Sequence, residues 1–322
     1  MNIKEEIEVI NEKLTTYDLG TEPHNLYDPI HYFLTLGGKR FRPLLAFIGA
    51  SLYTDNYREF ILPALSTEVF HNFTLVHDDI MDNAPLRRGK TTVHEKWNSN
   101  IAILSGDVMF VKAYELLAHT PKEHLPLALK LFNTCAKEVC EGQQYDMDFE
   151  TRDDVTIPEY LEMIRLKTAV LLGYSLALGA ILGGSTEKDY KALQKFGEYI
   201  GIGFQLQDDL LDTFGKTAAV GKTIGGDILQ NKKTFLLLKT LELANDAQRK
   251  EIQHWLSISD QPEQKIAAIK GIMSDLEMEE KTKELMNDYF QKGFEYLNDL
   301  TANSDRLDFL KSFSYNLIER EK

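Results

Sequence analysis

The chain has 322 residues, 43% hydrophobic and 27% charged, enough to bury a large core as one big domain or two. Its formal net charge of −14 and pI near 5.1 argue against nucleic acid or an anionic membrane as a partner. The N-terminus, Met1-Asn2-Ile3-Lys4-Glu5-Glu6, lacks the apolar core of a signal peptide, and no run of roughly eighteen apolar residues is free of charge or punctuation, so no transmembrane segment is expected.

Nine prolines, and no convincing run of alternating strand pattern, predict an all-α protein. In chain order, apolar residues recur at helical spacing over 3–14, 26–36, 41–52, 59–82, 101–119, 125–149, 157–182, 190–214 and 234–244, with several further helices toward the C-terminus. The central segments are apolar on nearly every side, the pattern of helices buried inside a bundle. The breaks at Gly37-Gly38, residues 85–89, Pro121, Gly183-Gly184 and residues 215–226 are short, and none resembles an interdomain linker. Residues 1–322 are therefore expected to form a single domain, without a repeat of solenoid period. The helix over 125–149 carries both cysteines, Cys135 and Cys140; five residues turn them about 140° apart, so no disulfide is expected between them and a reducing cytoplasm fits.

Two copies of one acidic cassette sit in apolar surroundings. Asp78-Asp79-Ile80-Met81-Asp82 interrupts an apolar stretch that begins at Val69, and Asp208-Asp209-Leu210-Leu211-Asp212 follows another that begins at Ile200. Buried carboxylates are normally neutralised or bound to a cation. On a helix, positions i and i+4 share a face, so Asp78 and Asp82 project together, as do Asp208 and Asp212. Paired hard oxygen ligands suit Mg²⁺, which keeps several waters and completes its shell with substrate phosphate. The bland alternative for each cassette is a solvated acidic helix end.

The basic residues cluster at turns near these cassettes. Gly37-Gly38-Lys39-Arg40-Phe41-Arg42-Pro43 puts three cations at a turn into a helix, where free N–H groups and the dipole favour an anion. Arg87-Arg88-Gly89 follows the first cassette, and arginine suits bidentate phosphate binding. Lys167-Thr168 interrupts an apolar helix. The glycine-rich stretch 215–227, with Lys222 inside it and Lys232 just beyond, could close over a phosphate or be an ordinary connection. It follows a helix and is not a Walker P-loop.

Taken in order, GGKRFRP, HDDIMD, RRG, GQQYD, LKT, FQLQDD and GKTIGGD resemble the motifs of the trans-isoprenyl diphosphate synthases, or polyprenyl synthetases, over residues 27–235. The resemblance implies an all-α bundle of long helices around a central apolar cavity (the isoprenoid synthase fold), assembled as a homodimer. It implies a Mg²⁺-dependent prenyltransferase that joins isopentenyl diphosphate head-to-tail to an allylic diphosphate (dimethylallyl, geranyl or farnesyl) and releases pyrophosphate.

Residue by residue, the resemblance assigns Asp78, Asp82 and Asp208 to the carboxylates that hold Mg²⁺ on the allylic diphosphate. Asp79, Asp209 and Asp212 belong to the same motifs and ligate partly through water; the expected metal set is Asp78, Asp82, Asp208 and Asp212. Arg87, Lys167 and Lys222 match residues that hold the allylic diphosphate, and Lys39, Arg42, His71 and Arg88 match the isopentenyl diphosphate pocket. Thr168, Gln205 and Lys232 match residues lining the reaction site, with Phe204 as a further substrate contact. Gln143 and Asp146 fit the GQxxD pattern, Gln143 facing the cavity, and His77 is read as structural. Two departures stand out: Gly221-Lys222-Thr223 where the family often has GKP, and Lys232-Lys233-Thr234, which leaves either lysine open to the role.

The chemistry implied is electrophilic. Metal and cations neutralise the diphosphate as its C–O bond breaks, and an apolar cavity keeps water from the allylic cation. No dedicated protein base stands out, so the departing pyrophosphate is expected to take the proton. Two other readings remain: a class I terpene cyclase, against which Asp208-Asp209-Asp212 and Lys39 with Arg42 argue, and a non-catalytic regulatory subunit, against which two intact cassettes argue. The expected product is short, geranylgeranyl diphosphate first and farnesyl diphosphate second. Phe73 lies five residues before Asp78, about 7.5 Å along the axis, and an aromatic there followed by Thr74 resembles archaeal-type geranylgeranyl synthases. The alternative is that Phe73 is ordinary core and the floor lies on another helix.

Overall fold

The computed structural model describes residues 1–215 and 225–318. Over these the regular structure is helical apart from one hairpin of two two-residue strands. In order come α1 (Ile3–Thr16), α2 (His24–Thr35), α3 (Phe41–Ser51), a 3₁₀ turn (Tyr57–Phe60), α4 (Ile61–Met81), β1 (Leu86–Arg87), β2 (Lys90–Thr91), α5 (Val93–Lys96) and α6 (Ser99–Leu117). There follow α7 (Leu125–Thr151), α8 (Ile157–Ile164), a π turn (Arg165–Ala169), α9 (Val170–Leu182), α10 (Glu187–Phe214) and α11 (Gly226–Leu229). The chain then runs through α12 (Phe235–Leu243), α13 (Asp246–Leu256), α14 (Pro262–Asp275), α15 (Met278–Glu295) and α16 (Ser304–Ile318).

Two compact units are present. The first comprises Met1–Asn133, Tyr174–Leu193 and Thr301–Leu310. Here α4 packs most extensively along α6. Pro63 is tolerated in the first turn of α4, and Ala64, Leu65, Val69, Phe70 and Val76 are buried along it. Phe70 and Phe73 join Phe110, Phe132, Tyr114 and Tyr174 in one aromatic cluster, with Phe73 stacked on Phe110 at 5.0 Å. Each such pair adds about 0.5–1.5 kcal/mol beyond its area burial. The helix stops at Asp82, whose N–H turns back to Asp78 O; Asn83 then takes a left-handed φ of 49° and Pro85 follows.

The second unit comprises Thr134–Gly173, Gln194–Leu300 and Lys311–Lys322. A capping box of Thr156 and Glu159 starts α8. The continuous helix expected over 157–182 is interrupted: Val170 N–H reaches back five residues to Arg165 O, a π bulge that takes in Lys167 and Thr168. The polar Lys-Thr pair masked this extra residue in the apolar pattern. Gly142 on α7 lies so close to the bulge that a Cβ there would collide with Lys167 N.

Two other expectations change at the edges. The helix expected from 59 begins as the 3₁₀ turn at Tyr57, and the break after the first cassette contains a real hairpin. Arg88 and Gly89 form its two-residue turn with φ of 53° and 73°, both positive as a type I′ turn requires. The stretch Ile157–Leu182 is long and apolar enough to cross a membrane by length and composition, and most of it is buried inside the protein. Both cysteines are free, Cys135 buried and Cys140 exposed.

Candidate active site

Both cassettes occupy the last turns of long helices, α4 and α10. That is the negative end of the helix dipole, which favours cations and disfavours carboxylates. Three aspartates in such a place are unfavourable until a cation arrives.

In the first unit the three aspartates divide their work. Neighbours on a helix point about 100° apart, so Asp79 cannot share the face of Asp78 and Asp82. Asp79 is 1% exposed, and its Oδ1 accepts from Arg87 Nε at 2.7 Å. Burial pushes its carboxyl above the ordinary range, and Arg87 opposes that shift. Arg87 Nη2 also reaches Asp78 Oδ2 at 3.4 Å, while Asp82 stands exposed. The hairpin that carries Arg87 is held by Thr92 Oγ1 donating to Ala84 O and Tyr32 OH donating to Thr91 O.

The next residue, Arg88, turns the other way and donates through Nη1 to Gly37 O. Gly38 takes a φ of 151°, and a Cβ on it would crowd the Arg88 guanidinium at 3.1 Å. Lys39 is exposed, 5.6 Å from the Phe41 ring centroid, and Arg42 opens α3 half-buried. Arg40 departs from the expected trio of cations. It is buried, with Nη1 on Glu68 Oε1 at 2.8 Å, Nε on Asn11 Oδ1 and Nη2 on Leu34 O. It serves as an internal tie and leaves Lys39 and Arg42 to the turn.

His71, partly exposed, feels Arg42, Arg88, Arg87 and Arg40. Burial first, then these guanidiniums, hold its pKa well below the ordinary value, so the ring is neutral. Thr74 Oγ1 donates to His71 O at 2.8 Å, and Phe73 packs on Phe70, His77 and Phe110. His77 Nε2 lies 3.1 Å from Ile103 O, a structural contact.

In the second unit Asp209 is the inward member. It is 5% exposed, with Oδ2 accepting from Tyr160 OH and Oδ1 from Gln205 Nε2 at 3.0 Å. Burial and then the Asp227 charge push its carboxyl up to about 7, opposed by those two hydrogen bonds. Gln205 Oε1 accepts from Thr168 Oγ1 at 3.3 Å, and Lys167 Nζ bonds Asp146 Oδ2 at 2.6 Å. The π bulge, α7 and α10 are thereby tied around the cassette. Asp208 is exposed and Gln143 half-buried; the Phe204 ring lies 5.9 Å from Phe290. Asp212 Oδ2 accepts from Asp227 N at 2.9 Å, and Lys232 Nζ lies 3.9 Å from Asp227 Oδ1. Lys233 instead points to Asp153 at 3.8 Å, which favours Lys232 for the open role. Lys222 lies outside the described residues.

Asp227 and Tyr160 belong to these networks and were missed in the sequence. Asp227 had a signal, as the acidic residue closing a glycine-rich stretch; Tyr160, 49 positions from Asp209, had none. Among the described residues no group of three or more His, Cys, Asp or Glu is gathered to hold a metal. Outward carboxylates in pairs still fit a divalent ion that takes one or two protein ligands and fills its shell with water and phosphate oxygens.

The sequence model described as Polyprenyl synthetase matches residues 23–275. A geranylgeranyl pyrophosphate synthase of Geoglobus acetivorans is 45% identical over 243 residues, 74% of this chain and 76% of that protein. A crystal structure of a geranylgeranyl pyrophosphate synthase superposes with a TM-score of 0.94 at 42% identity, covering 100% of both chains. A polyprenyl synthase from Caulobacter crescentus, complexed with calcium and isoprenyl diphosphate, superposes at 0.84 with 26% identity over 99% of this chain and 95% of that one. With the family pattern matched across most of its length and its fold shared throughout, the chain belongs to the polyprenyl synthetases.

Proposed function

We propose that this prenyltransferase makes geranylgeranyl diphosphate, with farnesyl diphosphate the second product, by adding isopentenyl diphosphate to allylic primers in the presence of Mg²⁺. The observation that carries the reading is the pair of cassettes at the negative ends of α4 and α10, each with its middle aspartate turned inward and its outer ones accessible or half-buried. Asp78, Asp82, Asp208 and Asp212 would hold the metal, which supplies charge neutralisation to the leaving diphosphate. Arg87, Lys167 and Lys222 bind the allylic diphosphate, and Lys232 lines the reaction site. Lys39, Arg42, Arg88 and neutral His71 hold the isopentenyl diphosphate without metal. Thr168, Gln205, Gln143 and Phe204 line the reacting carbons and exclude water. Phe73, beside Thr74, limits the growing tail; its stacking on Phe110 supports a floor made by more than one ring.

The family pattern runs from 23 to 275 and so takes in segments of both units, which supports one catalytic domain. A homodimer is the assembly we infer. Leu104 and Val111, seven residues apart on α6 and 57% and 56% exposed, share a face bordered by Ile103, and a second copy would cover it. The free Cys135 and Cys140 fit the cytoplasmic setting we infer. The deciding experiment incubates purified protein with labelled isopentenyl diphosphate, each allylic primer and Mg²⁺, then separates the dephosphorylated alcohols. A C20 alcohol is expected. Cyclic hydrocarbon, or no incorporation at all, overturns the reading in favour of a cyclase or a regulatory subunit.

A further inference from the structure

Lys265 is 3% exposed and lies outside every motif of the sequence. It ends the first turn of α14, and an ammonium has three donors to satisfy. They reach Asn231 Oδ1 at 2.6 Å, Ile258 O at 3.2 Å and Leu229 O at 3.5 Å. Burying an ammonium is costly unless its donors are met, and the acceptors found here are two backbone carbonyls and an amide.

Two of these three, Asn231 and Leu229, belong to the segment between Asp212 and Lys232, while Ile258 O follows α13. Leu229 ends α11, and Asn231, at a left-handed φ of 56°, donates through Nδ2 to Leu256 O at 2.9 Å. At the other end, Gly225 N donates to Asp212 O at 2.7 Å and Asp227 N to Asp212 Oδ2 at 2.9 Å. Lys232 N donates to Asp227 O at 2.9 Å. Ile266, beside Lys265, backs Gly225 so closely that a Cβ there would lie 2.9 Å from Ile266 Cδ1. Residues 225–232 are thus fastened in front to Asp212 and behind to α14.

We propose that Lys265 is a positioning residue of the diphosphate site. It sets where Asp227 and Lys232 stand against Asp212, and so how firmly the second cassette retains a metal-bound pyrophosphate. The inference rests on the reading of that cassette given above. A lysine that merely joined α13 to α14 would alter thermal stability and nothing else.

Lys265→Met keeps the apolar stem and removes the three donors. Calorimetric titration with inorganic pyrophosphate and Mg²⁺ reads the site without turnover. The variant should bind pyrophosphate about tenfold more weakly or worse, the scale of losing an outer-shell partner. Its KM for the allylic primer should rise while its KM for isopentenyl diphosphate stays unchanged. Asn231→Gly keeps the positive φ and deletes the side chain; it should show the same loss, and the double variant no more than either alone. If Lys265→Met does not fold, Asn231→Gly decides by the same titration. Pyrophosphate binding equal to wild type, with only a lower Tm, overturns the proposal. Wild-type protein that fails to bind pyrophosphate with Mg²⁺ overturns the site reading itself.

Discussion

Asp78 and Asp79 are adjacent in sequence and differ in kind: one is half-buried beside the exposed Asp82, the other is buried on Arg87. Removing Asp78 or Asp208 should lower kcat by at least about a hundredfold, the scale for losing preorganised transition-state electrostatics. The fold should survive, since each sits at the disfavoured end of its helix. Near-wild-type turnover of both alanine variants at saturating Mg²⁺ would sink the metal assignment. His71 supplies a pH test. Its pKa is depressed in the fold, so below about pH 6.5 the unfolded chain binds the proton that the folded one refuses. This residue therefore removes stability as pH falls through that value and is neutral to stability above it. NMR of the imidazole in diphosphate-free protein should show no titration between about pH 5.5 and 8. A midpoint near 6.5 would mean that the guanidiniums do not surround it. At this scale the sequence displayed which residues carry charge but not which way each faces. Arg40 reads like Lys39 and Arg42, and only its contact with Glu68 reveals it as an interior tie.

Among the elements, the π bulge is the one that positions residues proposed for the site. It carries Lys167 and Thr168 on a local distortion that a regular helix would turn elsewhere, and Gly142 makes room for it. Gly142→Ala must push the bulge from α7; overpacking of this kind costs about 1–3 kcal/mol. The expected result is a lower Tm together with a rise in KM for the allylic primer, read by steady-state kinetics; a lower Tm with unchanged KM would detach the bulge from substrate binding. Helix positions were legible because apolar residues repeat every three to four places along α4, α6 and α10. The bulge was not, since one added residue beside two polar ones leaves that repeat nearly intact. The hairpin was too short to show alternation, though Arg88-Gly89 could have signalled its turn.

For the molecule as a whole, the family and its helical architecture were legible because seven motifs hold their order. Assembly and tail length depend on surfaces that no motif marks. Leu104→Lys with Val111→Glu should shift the proposed dimer to monomer in light scattering at micromolar concentration; a species unchanged in mass would remove α6 from the interface. Phe73→Ala removes one ring from a stack that still contains Phe110, Phe132 and Tyr114. Products should lengthen by about one isoprene unit rather than without limit, as chromatography of the alcohols would read. An unchanged distribution would put the floor on another helix.

Arg87 and Arg88 are consecutive residues at a tight turn, one fastened to the first cassette through Asp79 and the other to the Gly37 carbonyl. A single short piece of backbone thus touches the binding groups proposed for both substrates. Whatever energy one diphosphate spends in settling this piece, the other is spared. On that proposal the two ligands are linked, and reciprocity requires that each change the affinity of the other by the same factor. Order of addition is then a property of the turn as much as of either pocket: cutting the Gly37 tie with Arg88→Ala should bring that shared factor toward one.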